Sequence, residues 1–364
     1  MAEDNGHSQI DITFAPSLRC NMHCDYCFQN EIRAHGETGV IDRNGIDSTI
    51  EFIKKQANRN NVETLNLIWF GGEPLLNVEL LKDFTKRLKQ SLLASVKLNT
   101  KIITNSILLT PSLLHLLIAE CDLKSVQISI DGGKERYSKT RGISADLFDR
   151  VIDNVIMCSE SIETIVRLNI SPVNISELFQ FIKDISSRIK NKNNIRFKIS
   201  EIINYSRNNK LSIPVFQPGD FRRIYRKFSI YIKQMGFNIE CYYIEKFYPI
   251  GCKYFLPNNY AIDPYGNLYK CEHHFGEGAY IVGTVEDGLV ELEKKLHIYS
   301  NDNIDHRCTE CNIYPLCKYA TCLDYRQFMG NNQKQCNCYE LQYKILQADI
   351  RDNISNFPIT DIEP

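Results

Sequence analysis

Three cysteines, Cys20, Cys24 and Cys27, stand in the pattern C-x3-C-x2-C. Thiolates so closely spaced can wrap one metal centre, and thiolate sulfur is a favoured ligand for zinc and for iron–sulfur clusters. The next cysteine is Cys121, far along the chain, so three local ligands leave one coordination position open. An open position on an iron is where a substrate or cofactor binds. Two other readings stay open at this point: a zinc site completed by His23, and unliganded thiols. A second group holds eight thiols, Cys252, Cys271, Cys308, Cys311, Cys317, Cys322, Cys336 and Cys338. Eight ligands fill two four-ligand sites, and a short, turn-rich stretch with little apolar periodicity needs such cross-links to fold. Zinc is again an alternative, because C-x2-C pairs are what zinc ribbons use. Cys121 and Cys158 follow apolar helical runs and, with Cys241, are read as packing residues.

The elements that must position these thiols follow from the pattern of the rest of the chain. Its 364 residues are a prior for two domains, or for one large α/β barrel with an extension. β-Branched runs at 10–17, 64–72, 97–105, 125–132, 164–171 and 194–202 alternate with amphipathic stretches beginning at Asn44, Asn77, Pro111, Ser144 and Asn174. Six βα units in succession imply a parallel sheet with right-handed crossovers, and six in place of eight suggest a partial (β/α)6 barrel open on one side. In such folds chemistry gathers at the carboxyl ends of the strands. The cysteine triplet follows the first strand, at that end. The barrel is expected over 10–203, a connector with one helix over 204–250, a small cysteine-rich domain over 251–342 and a polar tail over 343–364.

Charge narrows the partners. With 43 basic and 44 acidic side chains the net charge is -1, which gives no pull toward nucleic acid or an anionic membrane. The opening residues MAEDNGHSQ lack the apolar stretch of an export signal, and no uncharged apolar run approaches the roughly 20 residues needed to span a bilayer. A cytoplasmic location is expected, and there fourteen cysteines do not form a disulfide framework.

The cysteine triplet, with Tyr26 and Phe28 flanking its last member, resembles the signature of the radical S-adenosylmethionine (SAM) enzymes. The resemblance implies that Cys20, Cys24 and Cys27 hold a [4Fe–4S] cluster whose fourth iron chelates SAM. Reductive cleavage then releases a 5′-deoxyadenosyl radical that takes a hydrogen atom from an unactivated carbon. Gly71-Gly72-Glu73-Pro74 resembles the motif that contacts the SAM amino group, where glycine permits close backbone approach and a carboxylate suits an ammonium. Thr104-Asn105 ends the third strand. Ser129 and Asp131 end the fourth, near the expected SAM carboxylate and ribose, and Arg141 resembles the arginine that pairs with that carboxylate. With Tyr26, Gly71, Gly72, Glu73 and Asn105 these complete the cofactor-binding residues that the resemblance implies; for Ser129, Asp131 and Arg141, ordinary turn and surface polarity is the alternative.

The second cysteine group resembles the SPASM domain of radical SAM enzymes that modify peptides and proteins, which carries up to two auxiliary [4Fe–4S] clusters. The G-x4-C hairpin is matched by Gly266 and Cys271. Carried over, Cys252, Cys271 and Cys322 belong to the first auxiliary cluster, and Cys308, Cys311, Cys317 and one of Cys336 or Cys338 to the second. The spacing before Cys322 is four residues where three is usual, and the first auxiliary cluster has three obvious ligands, so one of Cys336 and Cys338 completes it or its iron is open. Glu272 stands where anaerobic sulfatase-maturating enzymes, which the chain resembles in length and in the hairpin sequence, place an aspartate base, and a solvated or structural carboxylate is the alternative; His273 and His274 follow it as ligands, proton carriers or ordinary hairpin residues.

The expected activity is oxidative modification of a peptide side chain, giving a thioether or carbon–carbon crosslink in a ribosomally made peptide. The rivals are an anaerobic sulfatase maturase forming formylglycine and a non-catalytic zinc-binding scaffold. Expected partners are a peptide or protein substrate and a reducing donor such as a flavodoxin or ferredoxin. Only about ten residues precede the first strand, so a separate leader-peptide recognition protein is a further expected partner.

Overall fold

Alternation of apolar residues sets the faces of the sheet. In a computed structural model, which describes residues 9–34, 36, 38–203, 212–216, 220–240, 258–292 and 295, six parallel strands lie side by side in chain order: β1 (Gln9–Phe14), β2 (Thr64–Trp69), β3 (Lys97–Thr104), β4 (Leu123–Ile130), β5 (Glu163–Ile170) and β6 (Ile195–Glu201). Ile10, Ile12 and Phe14 pair in register with Leu65, Leu67 and Trp69, and all six side chains are buried. This face packs on the crossover helices: Phe84 lies 4.9 Å from Phe14 and 5.2 Å from Trp69, ring centre to ring centre. Burying aromatic side chains of this size contributes about 2 kcal/mol each. The opposite face alternates to Asp11, Asn66, Asn99, Gln127, Arg167 and Lys198, and it is the inner face of the open barrel.

The crossovers are α2 (Arg43–Arg59), α3 (Val78–Ser91), α4 (Pro111–Cys121), α6 (Asp146–Ser161) and α7 (Ile175–Arg188). Their starts carry local signals. Asp42 accepts from the Gly45 amide at 2.8 Å at the head of α2, and Thr110 caps α4 ahead of Pro111 through the Leu113 amide at 3.2 Å. Two short helices have no amphipathic signal in the sequence, α1 (Asn30–Ala34) and α5 (Lys134–Arg141). The latter ends on Gly142 in the left-handed region at φ 61°. Cys121 and Cys158 are buried on their helices, in line with a packing role.

Beyond β6, α8 (Asp220–Gln234) occupies the expected connector and leads to the short β7 (Asn238–Ile239), parallel to β6. The first part of the cysteine-rich stretch joins the barrel sheet. β8 (Asn259–Ile262) pairs in parallel with β1, and β9 (Asn267–Tyr269) and β10 (Gly283–Thr284) continue antiparallel, so the sheet has ten strands. The β8–β9 turn is written in its residues. Asp263 accepts the amides of Tyr265 and Asn267, both at 2.9 Å, and Gly266 takes φ +78° while its amide reaches the Asp263 carbonyl at 3.1 Å. This is the Asp-Pro-x-Gly chemistry of a type I turn closed by a glycine bulge. Cys241, Cys252, Cys308, Cys311, Cys317, Cys322, Cys336 and Cys338, with most of the loops around α8 and the tail, lie outside the described residues.

Candidate active site

Three ties hold the loop that carries Cys20, Cys24 and Cys27. The first comes from the end of β2. The Gly72 amide donates to the Ser17 carbonyl at 3.1 Å, and the Glu73 amide to the Arg19 carbonyl at 2.8 Å. A Cβ on Gly71, which has φ +118°, or on Gly72 would stand about 2 Å from those same two carbonyl oxygens. The close approach that these glycines permit is therefore to the cysteine loop's own backbone, something their sequence context did not reveal. Only a hydrogen fits there.

The second tie runs through Glu73, which is 2% exposed. Its Oε1 accepts from the Leu75 amide at 3.0 Å and the Thr104 hydroxyl at 2.7 Å, and its Oε2 from the Asn105 amide at 2.8 Å. Burial pushes the Glu73 carboxyl above the usual range, although these three donors pull the other way. Asn105, fixed by this bond, donates from Nδ2 to Asn21 Oδ1 at 2.7 Å, between the first two cysteines.

The third tie comes from the end of α5. The Thr140 and Arg141 carbonyls accept from the Asp25 and His23 amides at 2.9 and 3.0 Å. Beneath them lies a buried cluster. Arg141 grips Asp131 with two nitrogens, Nε to Oδ2 at 2.7 Å and Nη2 to Oδ1 at 3.1 Å, and Nη2 also donates to the Tyr26 hydroxyl at 2.9 Å. Tyr26 in turn lies 2.9 and 3.0 Å from the two Asp131 oxygens, and Asn169 Nδ2 reaches both Asp131 Oδ1 and Tyr26 at 2.9 Å. The Arg141 guanidinium also lies 4.6 Å above the Tyr137 ring, and its Nη1 faces Met22 Sδ at 3.8 Å. Burial keeps the Tyr26 hydroxyl protonated far above its ordinary range.

In this geometry Asp131 and Arg141, read from the sequence as SAM contacts, bind each other and Tyr26. Ser129, on β4, stands in register with Arg167 and is partly exposed. Sequence reasoning missed Asn169, Asn21 and Asn174, the last of which donates to the Asp131 and Asn169 carbonyls at 2.8 and 2.9 Å. The available signal for Asn169 was a polar residue at the carboxyl end of a β-branched run, two places after Arg167. A cavity of about 580 Å3 opens beside the cluster, lined among others by Asp25, Lys139, Ser171 and Asn174.

The thiols themselves are half-buried. Burial pushes the Cys20 thiol up and Cys24 up to about 12, and the neighbouring cysteines add to both shifts. Arg33 of α1 donates from Nη2 to Cys27 Sγ at 3.0 Å, a contact suited to a thiolate. Among the described residues no three His, Cys, Asp or Glu side chains gather around a point where one metal ion would sit. A four-iron cluster needs a different arrangement, since each thiolate binds its own iron. Three cysteines on one clasped loop, with a cation against one sulfur, fit that group.

The segment after Cys271 returns to this loop. Cys271 is buried, and Glu272, half-buried, opens a one-turn 3-10 helix that ends at His274. His273 lies 4.9 Å from Phe28, which stacks on Phe70 at 6.1 Å, and Phe275 lies 6.5 Å from Phe70. His274, 2% exposed, stacks on Tyr280 at 3.9 Å and places Nδ1 3.3 Å from Glu277 Oε1.

Fold and loop together define an α/β-barrel enzyme whose mouth is built to hold a cysteine-ligated iron–sulfur centre. Residues 15–185 match the Radical SAM superfamily, so this stretch of the chain is a radical SAM domain, of a class that uses SAM and a [4Fe–4S] cluster. The chain is 24% identical over 332 residues to the cysteine-type anaerobic sulfatase-maturating enzyme of Clostridium novyi (strain NT), a match covering 83% of this chain and 84% of that one. In fold it is similar to native anSMEcpe with bound AdoMet and Kp18Cys peptide, with a TM-score of 0.69 at 15% identity over 94% of this chain and 99% of that one. It is also similar to Streptococcus suis SuiB bound to its precursor peptide SuiA, with a TM-score of 0.61 at 16% identity over 85% and 71% of the two chains. Among the described residues no helix is long and apolar enough to cross a membrane.

Proposed function

We propose that this enzyme is a cytoplasmic maturase that oxidises a side chain of a peptide or protein. The observation that carries the reading is the convergence of the clasped cysteine loop, the end of β2 and the Asp131 cluster at the carboxyl ends of the strands, beside an inner face that is polar and open. Cys20, Cys24 and Cys27 hold the cluster. When bound, cluster and SAM supply a 5′-deoxyadenosyl radical that takes a hydrogen atom from a substrate carbon. Gly71, Gly72, Glu73 and Asn105 fix the loop's position, Tyr26 and Arg141 lock its far side, and Ser129 faces the barrel interior. Cys271 and its partners outside the described residues, Cys252, Cys308, Cys311, Cys317, Cys322, Cys336 and Cys338, hold the auxiliary clusters of a SPASM domain. Glu272, carried beside the Phe28 loop, takes the proton that leaves with oxidation.

The product we favour is a thioether or carbon–carbon crosslink in a ribosomally made peptide. Formylglycine is the second reading, supported by the Clostridium novyi sulfatase-maturating enzyme, which matches most of the length of both chains. Anaerobically reconstituted, reduced protein incubated with SAM is expected to release 5′-deoxyadenosine, and changing all three loop cysteines to alanine is expected to abolish that release while iron elsewhere remains. Deoxyadenosine from the triple variant refutes the site. An aldehyde product from a sulfatase-type cysteine peptide selects formylglycine over the crosslink.

A further inference from the structure

The inner face of the barrel carries a charge pattern on residues other than those that the family resemblance assigns to SAM. Strand register places Arg167 of β5 directly beside Lys198 of β6, with Ser129 of β4 on the other side of Arg167. Two cations side by side on one face of a sheet repel each other. Among the described residues one carboxylate offsets this in part: Glu240, just after β7, pairs with Lys198 at 2.6 Å. The Arg167 side chain donates from Nε to the neutral Asn169 at 3.0 Å. Lys101 of β3 lies on the same face, and burial of the Glu240 carboxylate is outweighed by Lys198, Lys101 and Arg167, which together hold that carboxyl below its ordinary range. The other carboxylates at these registers are occupied elsewhere, Asp11 by Gln9 and Asn66 and Glu163 by Arg196. Lys198 and Glu240 are one-third and one-quarter exposed, so solvent reaches the group.

Its position relates it to the chemistry. Arg167 stands two residues before Asn169 on the same strand face, roughly 7 Å deeper, and Asn169 is hydrogen-bonded to Tyr26 of the cysteine loop. We propose that Arg167 and Lys198 form a receptor for a carboxylate side chain of the substrate peptide, so that the enzyme selects a residue to be modified that has a glutamate or aspartate close to it. This rests on the reading of the protein as a peptide maturase and names its substrate class. A planar guanidinium beside an ammonium matches a carboxylate in shape and charge. An acidic neighbour anchored there is held one hydrogen-bond relay, Arg167 to Asn169 to Tyr26, below the cysteine loop.

The test uses reconstituted full-length enzyme and three fluorescein-labelled peptides, a central cysteine flanked by glutamates, by glutamines or by lysines. Fluorescence anisotropy at low salt is expected to show the glutamate peptide binding wild type about tenfold or more tightly than the glutamine peptide. That ratio is expected to fall toward one in Arg167→Gln, to survive in Arg167→Lys, and to invert in favour of the lysine peptide in Arg167→Glu. Iron content and far-UV circular dichroism confirm that each variant is folded; should Arg167→Glu fail there, the Gln and Lys variants carry the comparison. Equal binding of glutamate and glutamine peptides by wild type overturns the proposal, as does a preference unchanged in Arg167→Gln. Deoxyadenosine release measured without peptide separates the two levels. Its absence in wild type refutes the proposed function, whereas its presence with no glutamate preference refutes only the carboxylate receptor.

Discussion

Arg141→Met isolates the buried clasp. The variant keeps an unbranched side chain of similar length over Tyr137 and removes the guanidinium that binds Asp131 twice and Tyr26 once. Asp131 and Arg141 side chains are 1% and 5% exposed, so water cannot replace the lost partner. Breaking a buried ion pair by removing one member costs about 3–5 kcal/mol, because a desolvated charge is left behind. Set against a total stability of about 5–15 kcal/mol, this is about a fifth of the molecule's margin at the least and about all of it at the most. Urea unfolding of the reconstituted protein, followed by circular dichroism and by the fluorescence of Trp69, the chain's one tryptophan and 1% exposed, reads the loss as a midpoint shift of about 1 M or more. The double variant Asp131→Asn/Arg141→Met removes both charges and is expected to recover part of the loss, because no uncompensated carboxylate remains. A loss below about 1 kcal/mol in the single variant would place the guanidinium in solvent and refute the clasp. Strictly additive losses in the double variant would refute the pairing.

Gly72→Ala is expected to displace the cysteine loop, since its Cβ would meet the Arg19 carbonyl at 2.0 Å; iron content after reconstitution falls and stability drops by about 2 kcal/mol or more. Burial pushes the Cys158 thiol up to about 12, so mass spectrometry after iodoacetamide treatment at pH 8 is expected to find it unmodified in folded protein and alkylated in urea. Glu240 has a carboxyl held below its ordinary range in the folded state, so the unfolded chain binds its proton more readily; its contribution is present above the unfolded value, about 4.3, and is lost as pH falls through the folded value. Unfolding midpoints measured from pH 3 to 6 are expected to fall less steeply with acid in Glu240→Gln than in wild type. An unchanged slope would refute the Glu240–Lys198 pairing.

The chain's own periodicity made the barrel readable. Each of the six β-branched runs is a strand, displaced by no more than a few residues, because alternation of buried and polar positions is a local property and a register slip would turn the core face to solvent. Asp263, Pro264 and Gly266 dictate their hairpin for an equally local reason. α5 escaped notice because its residues KERYSKTR have almost no apolar stripe; it is held by its place after β4, with Tyr137 alone among its large apolar side chains fully buried.

The triplet spacing of Cys20, Cys24 and Cys27 and the pairing of glycines before Glu73 are determined by sequence, since ligands and turns act over a few residues. Tertiary structure decided what those residues touch. Tyr26 meets Asp131 across 105 positions, Arg141 across 115 and Asn169 across 143, and no local pattern announces those pairings. The same holds for β8, whose four residues read as a hairpin arm and whose parallel pairing with β1 depends on an edge left open by the partial barrel. It holds again for Arg167 and Lys198, harmless as separate letters and adjacent like charges only once β5 and β6 align. Local sterics and periodicity choose faces and turns; long-range register chooses neighbours, and in this enzyme the neighbours make the site.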